Sequence, residues 1–232
     1  PVGVYLTNGA QSGGAAWPAL ALTGLFLAVI HIIAMNVSWW AGMAMSQAKA
    51  PASLVEGVIG LGAVLLFLAA IRLTPLAGYH AAEHMVVHAI ERGEDLHPDI
   101  VKRMPRVHPR CGTNLAAGAS LFFGIAFANW FNDQELQILV AILVTMFFWR
   151  SLGSFIQYWF TTRPPSRRQL DAGIRAGKDL LTKYENNPVV APNPWQRFAS
   201  SGLPFILLGY LGSAFIVRLS AQVLNLKWLV GV

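Results

Sequence analysis

Charge is what this chain has least of. Asp, Glu, Lys and Arg make up 12% of its 232 residues, where a soluble domain carries about 25%. Apolar residues reach 55% and mean hydropathy is +0.49, which excludes an ordinary soluble domain and implies a polytopic membrane protein. Cysteine is nearly absent as well: Cys111 stands alone, ruling out an internal disulfide and an oxidised scaffold. The first nineteen residues hold no Lys or Arg, so a secretory leader is not expected in this stretch. Nor is there an internal repeat or low-complexity tract. Cations do exceed anions, 17 to 11, for a net charge of +6. They are not interleaved with aromatics as single-stranded nucleic-acid binding requires, so they are read as loop charges and nucleic acid is not expected as a partner.

A bilayer core takes about 20 mainly apolar residues per helix. Five segments come near that length: Trp17 to Trp40, Leu54 to Leu73, Leu115 to Phe131, Ile138 to Phe160 and Leu203 to Leu219, the third and fifth a little short. Trp39, Trp40, Trp130, Trp159 and Trp195 fall at or beyond their ends, where indole favours the interface. Six Lys or Arg lie between Arg72 and Gly112 and seven between Thr161 and Ser200. The Ser46 to Glu56 loop has only Lys49, and the Asn132 to Glu135 turn has none. This bias predicts that both long loops and the N-terminus are cytoplasmic, with the C-terminus and Lys227 opposite. The chain thus reads as one all-α integral membrane domain over 1–232, with about five transmembrane helices and two cytoplasmic loop helices. Membrane lipids are its expected partners, together with membrane-complex subunits or further copies of the chain.

Each long loop carries helix signals. Thr74 and Pro75 read as an N-cap and first-turn proline and Gly93 as a stop, predicting a helix from Pro75 to Arg92. Ser166 and Gln169 form a capping box opening a second helix that runs to about Glu185. Its Leu170, Ile174, Leu181 and Tyr184 make an apolar stripe among cations. It suits either the headgroup layer or a place against the first loop.

At about 100° per residue, His80, Glu83, His84, His88 and Glu91 share one side of the first loop helix, with Ala81, Ala82, Met85, Val86, Ala89 and Ile90 opposite. The bland reading is a solvated polar face. Spacing argues for more. Two imidazoles four residues apart can chelate one ion, and His80-Ala81-Ala82-Glu83-His84 is an H-x-x-E-H string, in which Glu83 takes a proton from water polarised by the metal instead of ligating it. The same loop ends in His108-Pro109-Arg110-Cys111-Gly112-Thr113. Cys111 is a soft anionic donor, and His108 can reach the same ion if the chain turns at Pro109 and Gly112. The expected ligands are therefore His80, His84, His108 and Cys111. Mixed imidazole and thiolate donors suit zinc, with iron as a second choice. Four ligands would close the site as a structural one, and three would leave a position for catalysis.

These strings bear a resemblance. Tyr79-His80-Ala81-Ala82-Glu83-His84, Glu91, Gly93, Leu96, Val101-Lys102 and His108 to Thr113 resemble the YqhQ-like family of bacterial membrane proteins, a domain of unknown function with members predicted to be metal-dependent enzymes. Leu152-Gly153, Gln157, Thr161-Thr162-Arg163-Pro164, Gln169-Leu170 and Ala172-Gly173-Ile174 extend the likeness. The metal-site core so defined covers about 74–185. The chain departs from the family at Ala81, where Gly is usual, at Met85, where Lys is usual, and in showing no Gly-rich segment at the start. The resemblance implies metal binding at His80, His84, His108 and Cys111 with Glu83 adjacent, and the bacterial cytoplasmic membrane as location.

Further polar groups interrupt apolar surroundings. Arg150 in the fourth span needs a partner or a path to the interface. His31 and Asn36 in the first span are read as interhelical hydrogen-bonding groups. Arg110 and Arg163, close in depth to Cys111, are expected to orient an anionic or carbonyl group at the metal, or else to hold anionic lipid. The leading function is thus a cytoplasm-facing zinc hydrolase of peptidase or amidase type. The alternative is a non-catalytic membrane subunit or scaffold whose metal pins the loop to the bundle. A transport path along His31, Arg150 and Asn129 is weakest, because no broken helices or repeats support it.

Overall fold

The computed structural model describes residues 4–128, 130–187 and 192–223; Asn129 and Lys227 lie outside them. A short hairpin opens the chain, β1 (Tyr5–Thr7) pairing antiparallel with β2 (Ser12–Gly14). Nine α-helices follow among the described residues: α1 (Trp17–Gln47), α2 (Ala52–Leu73), α3 (Leu76–Glu91), α4 (Pro98–Val101), α5 (Gly112–Ala126), α6 (Gln134–Ile156), α7 (Arg167–Asn186), α8 (Pro194–Ser200) and α9 (Leu203–Val223). A π turn, Gln157–Thr161, prolongs α6. The architecture is an all-α polytopic bundle.

Four helices are long and apolar enough to cross a membrane: α1, α2, α6 with its π turn, and α9. The third expected span corrects to the shorter apolar helix α5 of 15 residues. It stops five residues early, at Ala126, and Gln137 on α6 receives that end by donating to the Ile125 carbonyl and accepting from the Phe131 N–H. In the other direction α1 overruns the expected end at Trp40 by seven residues. Nothing in Ala41–Gln47 stops a helix, and the break comes only where Lys49 turns to φ 59 ahead of Pro51.

The bundle has two parts. In one, α1 packs on α2 and α9; in the other, α5 packs on α6. At the α1–α9 crossing a Cβ on Gly24 would lie 2.0 Å from the Ile206 carbonyl oxygen, and one on Gly209 would lie 1.9 Å from that of Ala21. Only glycine permits this backbone approach. His31 binds the Tyr210 hydroxyl across the same pair, as expected of an interhelical group, and Asn36 donates back to Ile32 at 2.8 Å. Arg150 sets its guanidinium 5.1 Å from the Trp149 ring centroid.

One end of the bundle carries a packed cap. The two faces of α3 divide as the periodicity predicts: Ala82, Met85, Val86 and Ala89 join Val4 and Leu6 of the hairpin region and Leu170, Ile174, Ala176 and Leu180 of α7 in one buried core. The α7 capping box is present, with Ser166 and Gln169 exchanging hydrogen bonds. Of its two expected settings, α7 takes the one against the first loop. Gly173 and Gly177 lie against Ala82 and Val86 so closely that a Cβ at 177 would meet Val86 Cγ1 at 2.6 Å. Arg167, Arg168, Arg175 and Lys178 are exposed. The Thr74 cap is corrected: its hydroxyl donates back to Ile71 at 2.8 Å, closing α2, and does not open α3. The N-terminal hairpin, absent from the sequence reading, is held because Gly13 lets β2 touch the α7 backbone at Ala176 and Leu180, while Gly14 clears the Val4 carbonyl and the Ala176 side chain.

Candidate metal centre

The histidine face of α3 is covered. Against it lie the chain from Val101 to Cys111, the π turn after α6, and the hairpin. His84 and His108 are 7% and 5% exposed, so the solvated polar face is ruled out. The rings of His80 and His84 sit 4.3 Å apart, as their one-turn spacing requires.

Outer hydrogen bonds settle which nitrogens face inward. His80 Nδ1 lies 3.0 Å from the Thr161 carbonyl, and His84 Nδ1 lies 2.7 Å from that of Arg106. A carbonyl only accepts, so both Nδ1 atoms carry the proton. The two Nε2 atoms are then the ones that present lone pairs to an ion once both rings are neutral. His80 Nε2 is 3.2 Å from Cys111 Sγ, and one ligand atom each from His80, His84 and Cys111 lies within 4.8 Å of the others. Cys111 caps α5, its sulfur accepting from the Thr113 N–H at 3.4 Å, so the positive end of that helix favours the thiolate. Two imidazole lone pairs and a thiolate converging with fixed tautomers are a donor set that fits zinc.

Electrostatics agree. Burial acts to raise the Cys111 thiol, but the His80 and His84 rings outweigh it and bring it down to about 5. Burial likewise opposes charge on His80, yet the Cys111 sulfur and the nearby Glu83 push it up to about 9. The ion-free protein therefore holds a thiolate–imidazolium pair. The thiolate is lost as pH falls through about 5 and the imidazolium as pH rises through about 9, so the pair's stabilisation spans that window. We predict that alkylation of Cys111 by iodoacetamide in the chelated protein rises with a midpoint near pH 5, not at the ordinary thiol value of about 8.5. Rates that climb only above pH 8 would contradict the arrangement. Burial holds His84, His88 and His108 below the usual imidazole value.

Glu83 stands beside this trio without joining it. Its Oε1 accepts from the Tyr5 N–H at 3.2 Å, and burial lifts its carboxyl to about 7, against the pull of His80 and that hydrogen bond. The remaining expected residues are placed differently. His108 lies with His88 and Glu91 in a neighbouring cluster and not with the other three. Arg110 is an exposed residue whose guanidinium pairs with Glu91, on the side of that second cluster. Arg163 donates its backbone N–H to the Ala77 carbonyl at 3.1 Å, one turn ahead of His80.

Several site residues escaped the sequence reading. Gln157 is wholly buried; its carbonyl accepts from the His108 N–H at 2.9 Å and its amide donates to Asn114 Oδ1 at 2.8 Å. Asn114 donates in turn to the His108 and Pro109 carbonyls. Together they clamp the turn leading to Cys111. Arg72 fixes the π turn by donating to the Thr162 carbonyl, and the Thr161 hydroxyl is buried with no partner among the described residues. Of these, Gln157 and Thr161 stand among the residues that carry the family likeness and Arg72 among the loop cations, but no site role attached to them there.

Residues 10–149 match a family described as "Protein of unknown function (DUF1385)". The chain belongs to that family. The matched stretch begins at Ala10, in the turn of the N-terminal hairpin. It takes in α3, the loop and Cys111, and ends within α6. No curated protein and no solved structure matches the chain.

Proposed function

We propose that this chain is an integral membrane, zinc-dependent hydrolase of peptidase or amidase type, its site facing the cytoplasm. The observation that carries the reading is the convergence of His80, His84 and Cys111 with Glu83 poised beside them. A zinc ion held by the three would act as Lewis acid, polarising a carbonyl and acidifying water. Three protein ligands leave one position free, as in catalytic zinc sites.

Glu83 is the general base. A carboxyl that titrates near 7 takes and returns a proton at neutral pH without a large energetic penalty, and the Tyr5 N–H fixes one of its oxygens. Arg163 is assigned to orienting a substrate carbonyl or carboxylate. Facing the cytoplasm follows from the 13 cations of the two long loops. That these loops and the N-terminal hairpin share one packed core supports a common side.

Glu83→Gln is the test. The variant should keep its zinc and lose amide hydrolysis, measured on a peptide library with purified protein, by about 10²–10⁴-fold. Full activity in that variant would overturn the assignment. One observation favours a structural ion instead: His80 leans on the π turn and Cys111 caps α5, so metal there ties the cap to the bundle. In that case chelation would unfold the cap and Glu83→Gln would change nothing.

A further inference from the structure

A second donor cluster lies one turn further along α3. His88 and Glu91, three residues apart, share a helix face, and His108 approaches them from the loop, with one ligand atom from each lying within 4.8 Å of the others. The His88 and His108 rings are 4.7 Å apart, and His108 is 5.7 Å from His84. The two clusters therefore abut.

We propose that His88, Glu91 and His108 form a second divalent-cation site beside the His80–His84–Cys111 centre, one that takes a zinc- or manganese-class ion through nitrogen and oxygen donors. The His88 tautomer supports it. Nε2 donates to the Val107 carbonyl at 2.9 Å, so Nδ1 carries a lone pair, and it has no hydrogen-bond partner among the described residues. Glu91 Oε2 faces His108 Nε2 at 3.3 Å while Arg110 occupies the other carboxylate oxygen. The His108 backbone is pinned by Gln157 and Asn114, so its ring is held in position before any ion arrives. Glu91 is the open side of the cluster, its side chain 35% exposed where that of His108 is 7%.

Without an ion, His108 Nδ1 accepts from the Arg110 N–H at 3.2 Å, so Nε2 bears the proton and donates to Glu91. Binding moves that proton to Nδ1, frees the Nε2 lone pair and opens the Arg110 contact. No net proton is released from the neutral ring. Two imidazoles and a carboxylate without sulfur are harder donors than the Cys111 set, so the two sites differ in preference. The second site stands whether or not Glu83 acts as a base.

The experiment counts zinc per chain in the purified full-length protein after saturation and desalting, and follows Co²⁺ thiolate charge transfer as the marker of the Cys111 ion. The wild type should retain two ions. His88→Gln and Glu91→Gln should each retain one, with the thiolate band intact, while Cys111→Ser loses the band and keeps the other ion. One ion in the wild type, or an unchanged count in folded His88→Gln and Glu91→Gln proteins, overturns the second site. Loss of both ions from folded His88→Gln overturns it too, merging the clusters. If His88→Gln does not fold, Glu91→Gln decides, since its carboxylate is partly exposed. A Cys111→Ser protein that keeps every ion would instead sink the first centre and leave this one standing.

Discussion

Replacing Cys111 by Ser is expected to weaken zinc binding by about 10²–10³-fold. Structural zinc sites with four ligands bind with roughly 10–16 kcal/mol, so one donor accounts for roughly 3–4, and a neutral hydroxyl recovers little of it. The loss should be steeper than for most thiolate ligands. Here the sulfur is the one anionic donor beside two imidazoles whose tautomers are fixed by the Thr161 and Arg106 carbonyls, and removing it leaves the charge of the ion without a compensating anion among the three. Competition with a chromogenic chelator in detergent measures the effect. An affinity within threefold of the wild type would show that the three side chains do not share an ion.

Gln157→Leu should have the largest effect on stability. The substitution keeps volume and apolar packing but removes a fully buried amide, leaving its partners, the His108 N–H and Asn114 Oδ1, without that hydrogen bond. Each orphaned group costs about 1–3 kcal/mol, for roughly 2–6 together. Asn114 has nowhere to retreat, because it sits against Gly153 so tightly that a Cβ there would come 2.1 Å from its Oδ1. A lower thermal midpoint should therefore appear together with weaker zinc binding, about 10–100-fold as for other groups that orient metal ligands. An unchanged midpoint and affinity would mean that the turn before Cys111 is held by something else.

How far the sequence leads differs between the elements. The α3 face was legible because helical period alone puts His80, Glu83, His84, His88 and Glu91 together. The α7 start was legible because a capping box is a local contact between Ser166 and Gln169. The limits of α1 and α5 were not. Hydropathy marks where lipid would be tolerated, whereas helix ends depend on backbone partners such as those Gln137 supplies from another helix. Arg110 was read from the sequence as a cation for a group at the metal or for anionic lipid, and its engagement with Glu91 depends on how the loop returns to α3.

By itself the sequence determined an apolar, cation-biased chain with two histidines one turn apart and a lone cysteine 27 residues further along. Composition and the 3.6-residue period require no partner to be read. Only the tertiary structure decided that His108 turns toward His88 and Glu91, that the imidazoles near Cys111 point Nε2 inward, and that an N-terminal strand reaches Glu83. Each of those depends on carbonyls, amides or N–H groups from segments distant along the chain. Hydrogen-bond direction, which selects a tautomer and so a ligand, exists only once those segments have packed.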